Sequence, residues 1–212
     1  MLKIKSFVFS PIQENTYVLY NESDSCAIID PGCYFHDEKE ELKAFIEDNG
    51  LEPKWLLNTH CHLDHVFGNK FIADTYGLIL NIHEMEKSML DLAPSSGLMY
   101  NMPFDNYTGK LNYLHEGDTI EIDEDELEII AAPGHSPGHI CFYCPVQNFI
   151  ICGDVLFKNS IGRTDLPGSD HQALINNIRK KLFVLPDETV VYSGHGPSTT
   201  IGEEKRENPF LS

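Results

Sequence analysis

The sequence predicts an α+β protein built as a four-layer αββα sandwich, with two sheets packed face to face and helices outside. Three observations lead to this fold class. Short β-rich runs open the chain, strands and helices then alternate, and a second series of strands and helices fills the C-terminal half. No repeat of fixed period is present. We expect residues 1–212 to form a single domain, because a chain of this length can bury one sizeable core.

The first half is expected to begin with antiparallel strands, because turn residues separate its three opening β-rich runs. Apolar residues at helical spacing predict the helices, and Gly50 and Gly77 are typical C-terminal stops. The predicted strands are 2–9, 16–20, 26–30, 54–58 and 78–82, and the predicted helices are 36–49, 64–76 and 83–92.

The second half repeats this pattern after a long segment that has neither helical nor strand periodicity. Residues 94–114 are predicted to be a loop, either functional or pinned to the core by its aromatic side chains. Further strands are predicted at 126–132, 139–144, 149–152 and 189–193, and a helix at 171–183.

Composition excludes several classes of protein. Hydrophobic residues make up 42% of the chain and charged residues 23%, as in globular proteins. A formal net charge of −18 repels phosphate backbones and anionic lipids, so we expect neither a nucleic acid nor a membrane as partner. We expect a small-molecule substrate and leave the oligomeric state open.

The cysteines indicate the compartment. Six irregularly spaced cysteines and the lack of a signal-like apolar run predict a cytoplasmic protein. Cys141 and Cys144 form a CxxC pattern, which can be a redox pair or part of a zinc site. They lie on a predicted strand, where positions three apart point in opposite directions, so we interpret them as packing residues.

A dense cluster of metal-competent side chains follows the strand predicted at residues 54–58. His60 and His62 project to the same side of an extended segment, and Asp64 and His65 belong to the first turn of the next helix. The alternative is that Asp64 only caps this helix and each histidine only forms hydrogen bonds. That alternative does not explain four such residues together. Imidazole and carboxylate donors suit zinc, iron or manganese.

Three later strands each end in a glycine that a histidine or aspartate follows at once. These residues are His135, Asp154 and His195. Glycine lets a backbone turn sharply or approach another group closely, and rigid scaffolds often carry their chemistry on loops at strand ends. Each residue alone is typical of a turn, but the recurrence after separate strands favours a shared site.

The complete set resembles the ligand pattern of the metallo-β-lactamase superfamily. The hallmark HxHxDH is matched by His60, His62, Asp64 and His65, and the later ligands by His135, Asp154 and His195. The resemblance covers nearly the whole chain and implies the metallo-β-lactamase fold. It also implies two divalent metal ions, expected to be zinc, with iron or manganese as alternatives.

The resemblance implies a role for each ligand. One metal would be held by His60, His62 and His135, and the other by Asp64, His65 and His195. Asp154 would bridge the two ions. A metal-bridging hydroxide would be the nucleophile, and Asp64 would be the catalytic residue that moves a proton. The implied activity is binuclear, metal-dependent hydrolysis.

Four further segments are similar to the small glyoxalase II-like branch of the superfamily, namely residues 15–17, 29–32, 162–168 and 205–209. This similarity implies a thioester substrate of the hydroxyacylglutathione type. Arg163 is expected to bind a substrate carboxylate, because its planar guanidinium matches that group. The alternative is a structural salt bridge with Asp165 or another neighbour.

Other functions remain open. A persulfide dioxygenase shares the ligand motif and the segment 162–165, but holds a single iron through His60 or His62 with His135 and Asp154. A metal-binding module without catalysis is a further alternative, although a structural zinc site is closed by four ligands, typically with more cysteine. A β-lactamase is less favoured, because class B enzymes carry another pattern at Asp154. The remaining histidines are interpreted as surface or core residues: His36, His83, His115, His139 and His171.

Overall fold

The computed structural model describes residues 1–211, which form two compact units. The first unit contains residues 1–114 and 121–126, and the second contains residues 115–120 and the chain from residue 127 onward. Each unit has its own sheet and its own apolar core. A single domain therefore stays a prediction.

A six-stranded mixed sheet forms the centre of the first unit, with its strands in sequence order. The first three strands pair antiparallel, as predicted, and the later pairs are parallel. The strands are β1 (Lys3–Phe9), β2 (Glu14–Tyr20), β3 (Ser25–Ile29), β4 (Glu52–Leu57), β5 (Leu80–Ile82) and β6 (Leu111–Tyr113).

The helices of this unit pack their apolar side chains against the sheet. Leu42 and Ile72 are completely buried and belong to the same apolar cluster as Val18, Ile28 and Leu56 of the strands. The helices are α1 (His36–Asp48), α2 (Leu63–Val66), α3 (Asn69–Tyr76) and α4 (Lys87–Met99), and a 3₁₀ turn (Glu84–Glu86) precedes α4.

The single helix predicted at residues 64–76 is wrong, because α2 and α3 are separate. The Gly68 N–H, which would bond to the carbonyl of Asp64 in a continuous helix, donates to Pro31 O at 2.7 Å. A Cβ at Gly68 would overlap Cys33 Sγ, so the close approach requires glycine. Asp64 lies in the first turn of α2, as predicted, and the alternative that it caps this helix is wrong, since His62 occupies the N-cap.

The loop predicted at residues 94–114 is wrong at both ends, because α4 continues through Pro94 to Met99 and β6 occupies Leu111–Tyr113. Proline has no N–H to donate to the carbonyl four residues earlier, that of Leu90. Asn106 Nδ2 donates to Leu90 O at 2.8 Å instead. Within the remaining loop, Tyr107 is buried in the core and Phe104 packs against it, so aromatic side chains pin this segment.

The second sheet also has six strands, in the order β14-β13-β10-β9-β8-β7, and a two-stranded ribbon, β11-β12, accompanies it. The predicted strands at 126–132, 139–144, 149–152 and 189–193 correspond to β8, β9, β10 and β13. The strands are β7 (Thr119–Ile122), β8 (Asp125–Ala131), β9 (Ile140–Cys144), β10 (Phe149–Gly153), β11 (Leu156–Phe157), β12 (Ser160–Ile161), β13 (Val190–Ser193) and β14 (Thr199–Thr200).

Two helices cover the apolar core of the second unit. The helix predicted at 171–183 comprises α5 (His171–Asn177) and a π-helical turn (Ile178–Leu182), and α6 (Ile201–Glu207) was not predicted. Asp170 and Thr200 cap α5 and α6 by accepting backbone N–H bonds. Within residues 1–211, no helix combines the length and hydrophobicity needed to cross a membrane.

Asn106→Ala should lower the free energy of unfolding by about 1 kcal/mol, because the buried Leu90 carbonyl loses its donor. In a Pro94→Ala background the restored N–H can bond to this carbonyl, so the same substitution should cost less. Chemical denaturation of the four proteins of this double-mutant cycle measures both values. An equal loss in the two backgrounds would contradict the role given to Asn106.

Candidate metal centre

The segment after β4 and the helix α2 that follows it bring four of the predicted ligands together within the first unit. The ring centroids of His60 and His62 lie 4.8 Å apart, and those of His60 and His65 lie 4.1 Å apart. His65 Nε2 lies 3.8 Å from Asp64 Oδ2. His60 and His65 are completely buried, and Asp64 is 7% exposed.

Asp30, which was not predicted as a site residue, organises this segment. Its Oδ1 accepts from Thr59 N at 2.7 Å and from Asn58 Nδ2 at 3.1 Å. Its Oδ2 accepts from Thr59 Oγ1 at 2.6 Å and from His65 Nδ1 at 3.1 Å. The side chain is 1% exposed, so these four donors compensate for the burial of a carboxylate.

The network assigns the tautomers of two histidines. The Thr59 hydroxyl has one proton, which it donates to Asp30, so its oxygen accepts from His60 Nδ1 at 3.1 Å. His65 Nδ1 donates to Asp30. Both imidazoles therefore carry their lone pair on Nε2, which is the form that binds a metal.

A second buried carboxyl, that of Glu14, lies behind His65. Its Oε1 is 3.9 Å from His65 Nδ1, and its Oε2 accepts from Thr16 Oγ1 at 2.8 Å. Burial raises the pKa of Glu14 well above its usual range; the nearby His65 opposes this rise and the Asp30 carboxylate adds to it. A Cβ at Gly32 would overlap this carboxyl, so glycine is required beside it.

The second unit brings together the other three predicted ligands. Asp154 Oδ2 lies 3.5 Å from His135 Nε2 and 3.7 Å from His195 Nε2. His135 Nδ1 donates to Arg163 O at 2.8 Å, which puts the lone pair of this imidazole on Nε2. A single carboxylate oxygen thus faces two imidazole nitrogens.

The loop glycines and one unpredicted histidine position these ligands. Gly134 and Gly153, which precede His135 and Asp154, have φ values of 143° and 48°, in the region that favours glycine. His139 is completely buried, and its Nε2 accepts from Asp154 N at 3.1 Å. The sequence offered no signal for this contact, because β9 reads as an ordinary strand.

The distances within each unit fit the donor set of a metal site. Two ligands bound to one tetrahedral zinc at about 2.0 to 2.2 Å lie about 3.4 Å from each other. The carboxylate–imidazole separations of 3.5 Å and 3.7 Å at Asp154 and 3.8 Å at Asp64 are close to this value. They are longer than strong hydrogen bonds. Imidazole and carboxylate donors therefore stand at ligand spacing in both units.

Cys61 lies inside the motif but does not suit this donor set. Burial raises the pKa of its thiol well above the usual range, and the carboxylates of Glu86 and Asp30 add to the rise. A metal binds the thiolate form, which is strongly disfavoured here. The side chain is 1% exposed and belongs to the apolar core.

Arg163 is exposed and forms a bidentate salt bridge. Its Nε and Nη2 donate to the two carboxylate oxygens of Asp165 at 2.7 Å and 2.8 Å. These hydrogen bonds lower the pKa of Asp165 to about 2. The alternative considered for Arg163, a salt bridge with Asp165, is therefore present, and the role in substrate binding stays a prediction.

Comparison with known proteins decides the family. The profile of the Metallo-beta-lactamase superfamily matches residues 10–195. The chain belongs to this superfamily. The predicted superfamily and its α+β fold are thereby confirmed.

Three relatives of this superfamily member are similar over nearly their whole length. Hydroxyacylglutathione hydrolase GloC of Haemophilus influenzae is 37% identical, over 100% of this chain and 99% of its own. The BLEG-1 B3 metallo-beta-lactamase structure has a TM-score of 0.91 at 37% identity, covering 99% of this chain and 100% of that chain. TTHA1623, solved in a di-iron-bound form, has a TM-score of 0.89 at 35% identity, covering 98% and 100%.

Thr59→Val should weaken metal binding about tenfold, because it removes the acceptor of His60 Nδ1 and one donor to Asp30 while keeping the side-chain shape. Thr59→Ser keeps the hydroxyl and is the matched control. Competition with a chromophoric chelator gives the affinities. If the valine variant binds metal as tightly as the serine variant, the hydroxyl does not orient the ligand.

Proposed function

We propose that this metallohydrolase cleaves a thioester of the hydroxyacylglutathione type at a centre of two divalent metal ions. The observation that carries the proposal is the arrangement at Asp154, where one carboxylate oxygen lies 3.5 Å and 3.7 Å from two imidazole Nε2 atoms. Such an oxygen is suited to contact two ions at once. The HxHxDH segment supplies the further nitrogen and oxygen donors that two ions require.

The proposed ligand sets follow the superfamily pattern. His60, His62 and His135 would hold one ion, and Asp64, His65 and His195 the other, with Asp154 bridging both. We propose zinc, because imidazole and carboxylate are suitable zinc ligands. Iron and manganese accept the same donors, and the di-iron form of TTHA1623 shows that one similar protein binds iron.

Two divalent ions bound here would supply the Lewis acidity that activates water and polarises a carbonyl. The protein's own groups then have separate tasks. Asp64 would accept a proton from the attacking water and give it to the thiolate sulfur that departs when the C–S bond breaks. Asp30, Thr59 and the carbonyl of Arg163 hold three imidazoles in fixed orientations, which avoids reorganisation during the reaction.

The substrate class is supported by the similarity to hydroxyacylglutathione hydrolase, which extends over both chains almost completely. A thioester carbonyl is electrophilic, and its thiolate is a good leaving group beside a metal. We propose that Arg163 leaves Asp165 and pairs with an anionic group of the substrate. Its salt bridge is exposed, and exposed ion pairs exchange partners at little cost.

A cytoplasmic location and the exclusion of nucleic acid and membrane as partners remain predictions from composition. The persulfide dioxygenase and the non-catalytic metal-binding module remain alternatives. The BLEG-1 relative adds β-lactam hydrolysis to the activities that need testing.

One experiment separates these functions. Metal content is measured by mass spectrometry on the purified protein, together with hydrolysis of S-lactoylglutathione, oxygen uptake on glutathione persulfide, and hydrolysis of a chromogenic cephalosporin. Near two metals per chain with thioester turnover is the expected result. One iron with oxygen uptake would establish a dioxygenase, and β-lactam turnover alone would establish a lactamase. Bound metal with no turnover of any kind would leave the non-catalytic module.

His62→Ala and Asp154→Ala should each lose bound metal and thioesterase activity together, since each removes a proposed ligand. His115→Ala, which changes an exposed histidine, is the matched control and should keep both. Metal content and turnover are measured on the same preparations. Full activity in both ligand variants would refute the assigned centre.

Arg163→Ala should raise KM for anionic thioesters while metal content stays unchanged, because it removes a substrate contact without touching a ligand side chain. Asp165→Ala removes the competing carboxylate and should leave KM the same or lower it. Steady-state kinetics on an anionic and a neutral thioester distinguish the cases. If wild type and Arg163→Ala have the same KM for the anionic thioester, Arg163 does not bind the substrate.

A further inference from the structure

Glu86 is a completely buried carboxylate that is not among the proposed metal ligands. It ends the 3₁₀ turn before α4, and this turn fixes its backbone. Glu86 N donates to His83 O at 2.9 Å, and Met85 N donates to His83 Nδ1 at 3.2 Å. The carboxylate is therefore presented from a short, internally bonded turn.

The carboxylate of Glu86 contacts a backbone N–H group of the segment that carries the HxHxDH motif. Glu86 Oε2 accepts from Cys61 N at 2.8 Å. Cys61 stands between His60 and His62, beyond the end of β4, where its N–H lies outside any strand. Hydrogen bonds from a backbone N–H to a carboxylate are charge-assisted and roughly twice as strong as neutral ones.

The backbone N–H groups on both sides of His60 donate to buried carboxylates. The N–H of Thr59, on one side, donates to Asp30 Oδ1 at 2.7 Å, and the N–H of Cys61, on the other, donates to Glu86. The hydrogen-bonded peptide joins His60 to Cys61, the residue directly before His62. Fixing the two N–H groups thus limits how far the backbone on either side of His60 can rotate, and with it the directions in which the side chains leave the chain.

We propose that Glu86 is a positioning residue, which holds the peptide between His60 and His62 so that both imidazoles converge on one metal ion. This inference rests on the proposed function, since it concerns the ion that these two histidines would share. Glu86 would act through its hydrogen bond with the backbone N–H of Cys61.

Substitutions of Glu86 test separately the length of its side chain, its charge and its effect on folding. Glu86→Gln keeps an oxygen acceptor at the same distance and removes the charge. Glu86→Asp keeps the charge but is one methylene too short to reach Cys61 N. Glu86→Ala removes the acceptor. Glu84→Ala, which changes an exposed glutamate of the same turn, is the matched control.

The test is titration of each metal-free protein with Co²⁺, following the d–d absorption bands, with circular dichroism to verify folding. Wild type and Glu84→Ala should bind two ions with similar affinity and similar bands. Glu86→Gln keeps a weaker acceptor for Cys61 N and should lose less affinity than Glu86→Asp. Glu86→Asp should weaken one of the two sites by about 10 to 100-fold and change its bands. Glu86→Ala should show the same effect.

Two results would contradict different parts of the proposal. If Glu86→Asp and Glu86→Ala are less stable but bind Co²⁺ with wild-type affinity and bands, Glu86 has only a structural role and the inference fails. If the wild-type protein itself binds no Co²⁺, the proposed metal centre fails, and the inference fails with it. If Glu86→Gln binds Co²⁺ as weakly as Glu86→Asp, the inference also fails. An acceptor within reach of Cys61 N would then make no difference to metal binding.

Discussion

The carboxylate of Asp30 accepts four hydrogen bonds from the segment that carries the HxHxDH motif. A buried carboxylate without such donors would be costly, so the segment and the carboxylate stabilise each other's positions. Through Thr59 and His65, the same carboxylate sets the tautomers of two imidazoles. The geometry of the HxHxDH segment therefore depends on a residue that does not itself belong to the proposed ligand set.

In the second unit, backbone groups orient the histidine side chains. The carbonyl of Arg163 orients His135, and the N–H of Asp154 donates to the buried ring of His139. Gly162 permits the close packing, since a Cβ there would overlap the backbone of Asp154. The proposed ligands in both units are thus held by hydrogen bonds from outside the ligand set, as is typical of metal sites.

Much of the fold follows from local sequence patterns, because alternation and helical spacing reflect burial within one element. The strands β1 to β4 and β8 to β10 were predicted within a few residues. The errors arose where distant residues decide. Gly68 ends α2 because Pro31 takes its N–H, and α4 passes Pro94 because Asn106 supplies a donor to Leu90. Neither partner can be identified from its neighbours in the sequence.

The candidate site shows the same limit. The seven ligand-type residues were found by residue type and spacing, and the superfamily pattern ordered them. Asp30, Glu86 and His139 were missed as site residues, because their contacts are 35, 25 and 15 positions away in the chain. A fold shared by many activities does not by itself name the substrate, so Arg163 and the thioester depend on similarity and on experiment.

The proposed ligand sets would hold one pair of ions, with Asp154 as the ligand that both ions share. A crystal structure of the zinc-loaded protein, with anomalous diffraction at the zinc edge, tests it most directly. Two peaks about 3.5 to 4 Å apart, both in contact with the Asp154 carboxylate, are the predicted result. A single peak, or two peaks of which Asp154 contacts only one, would contradict the account.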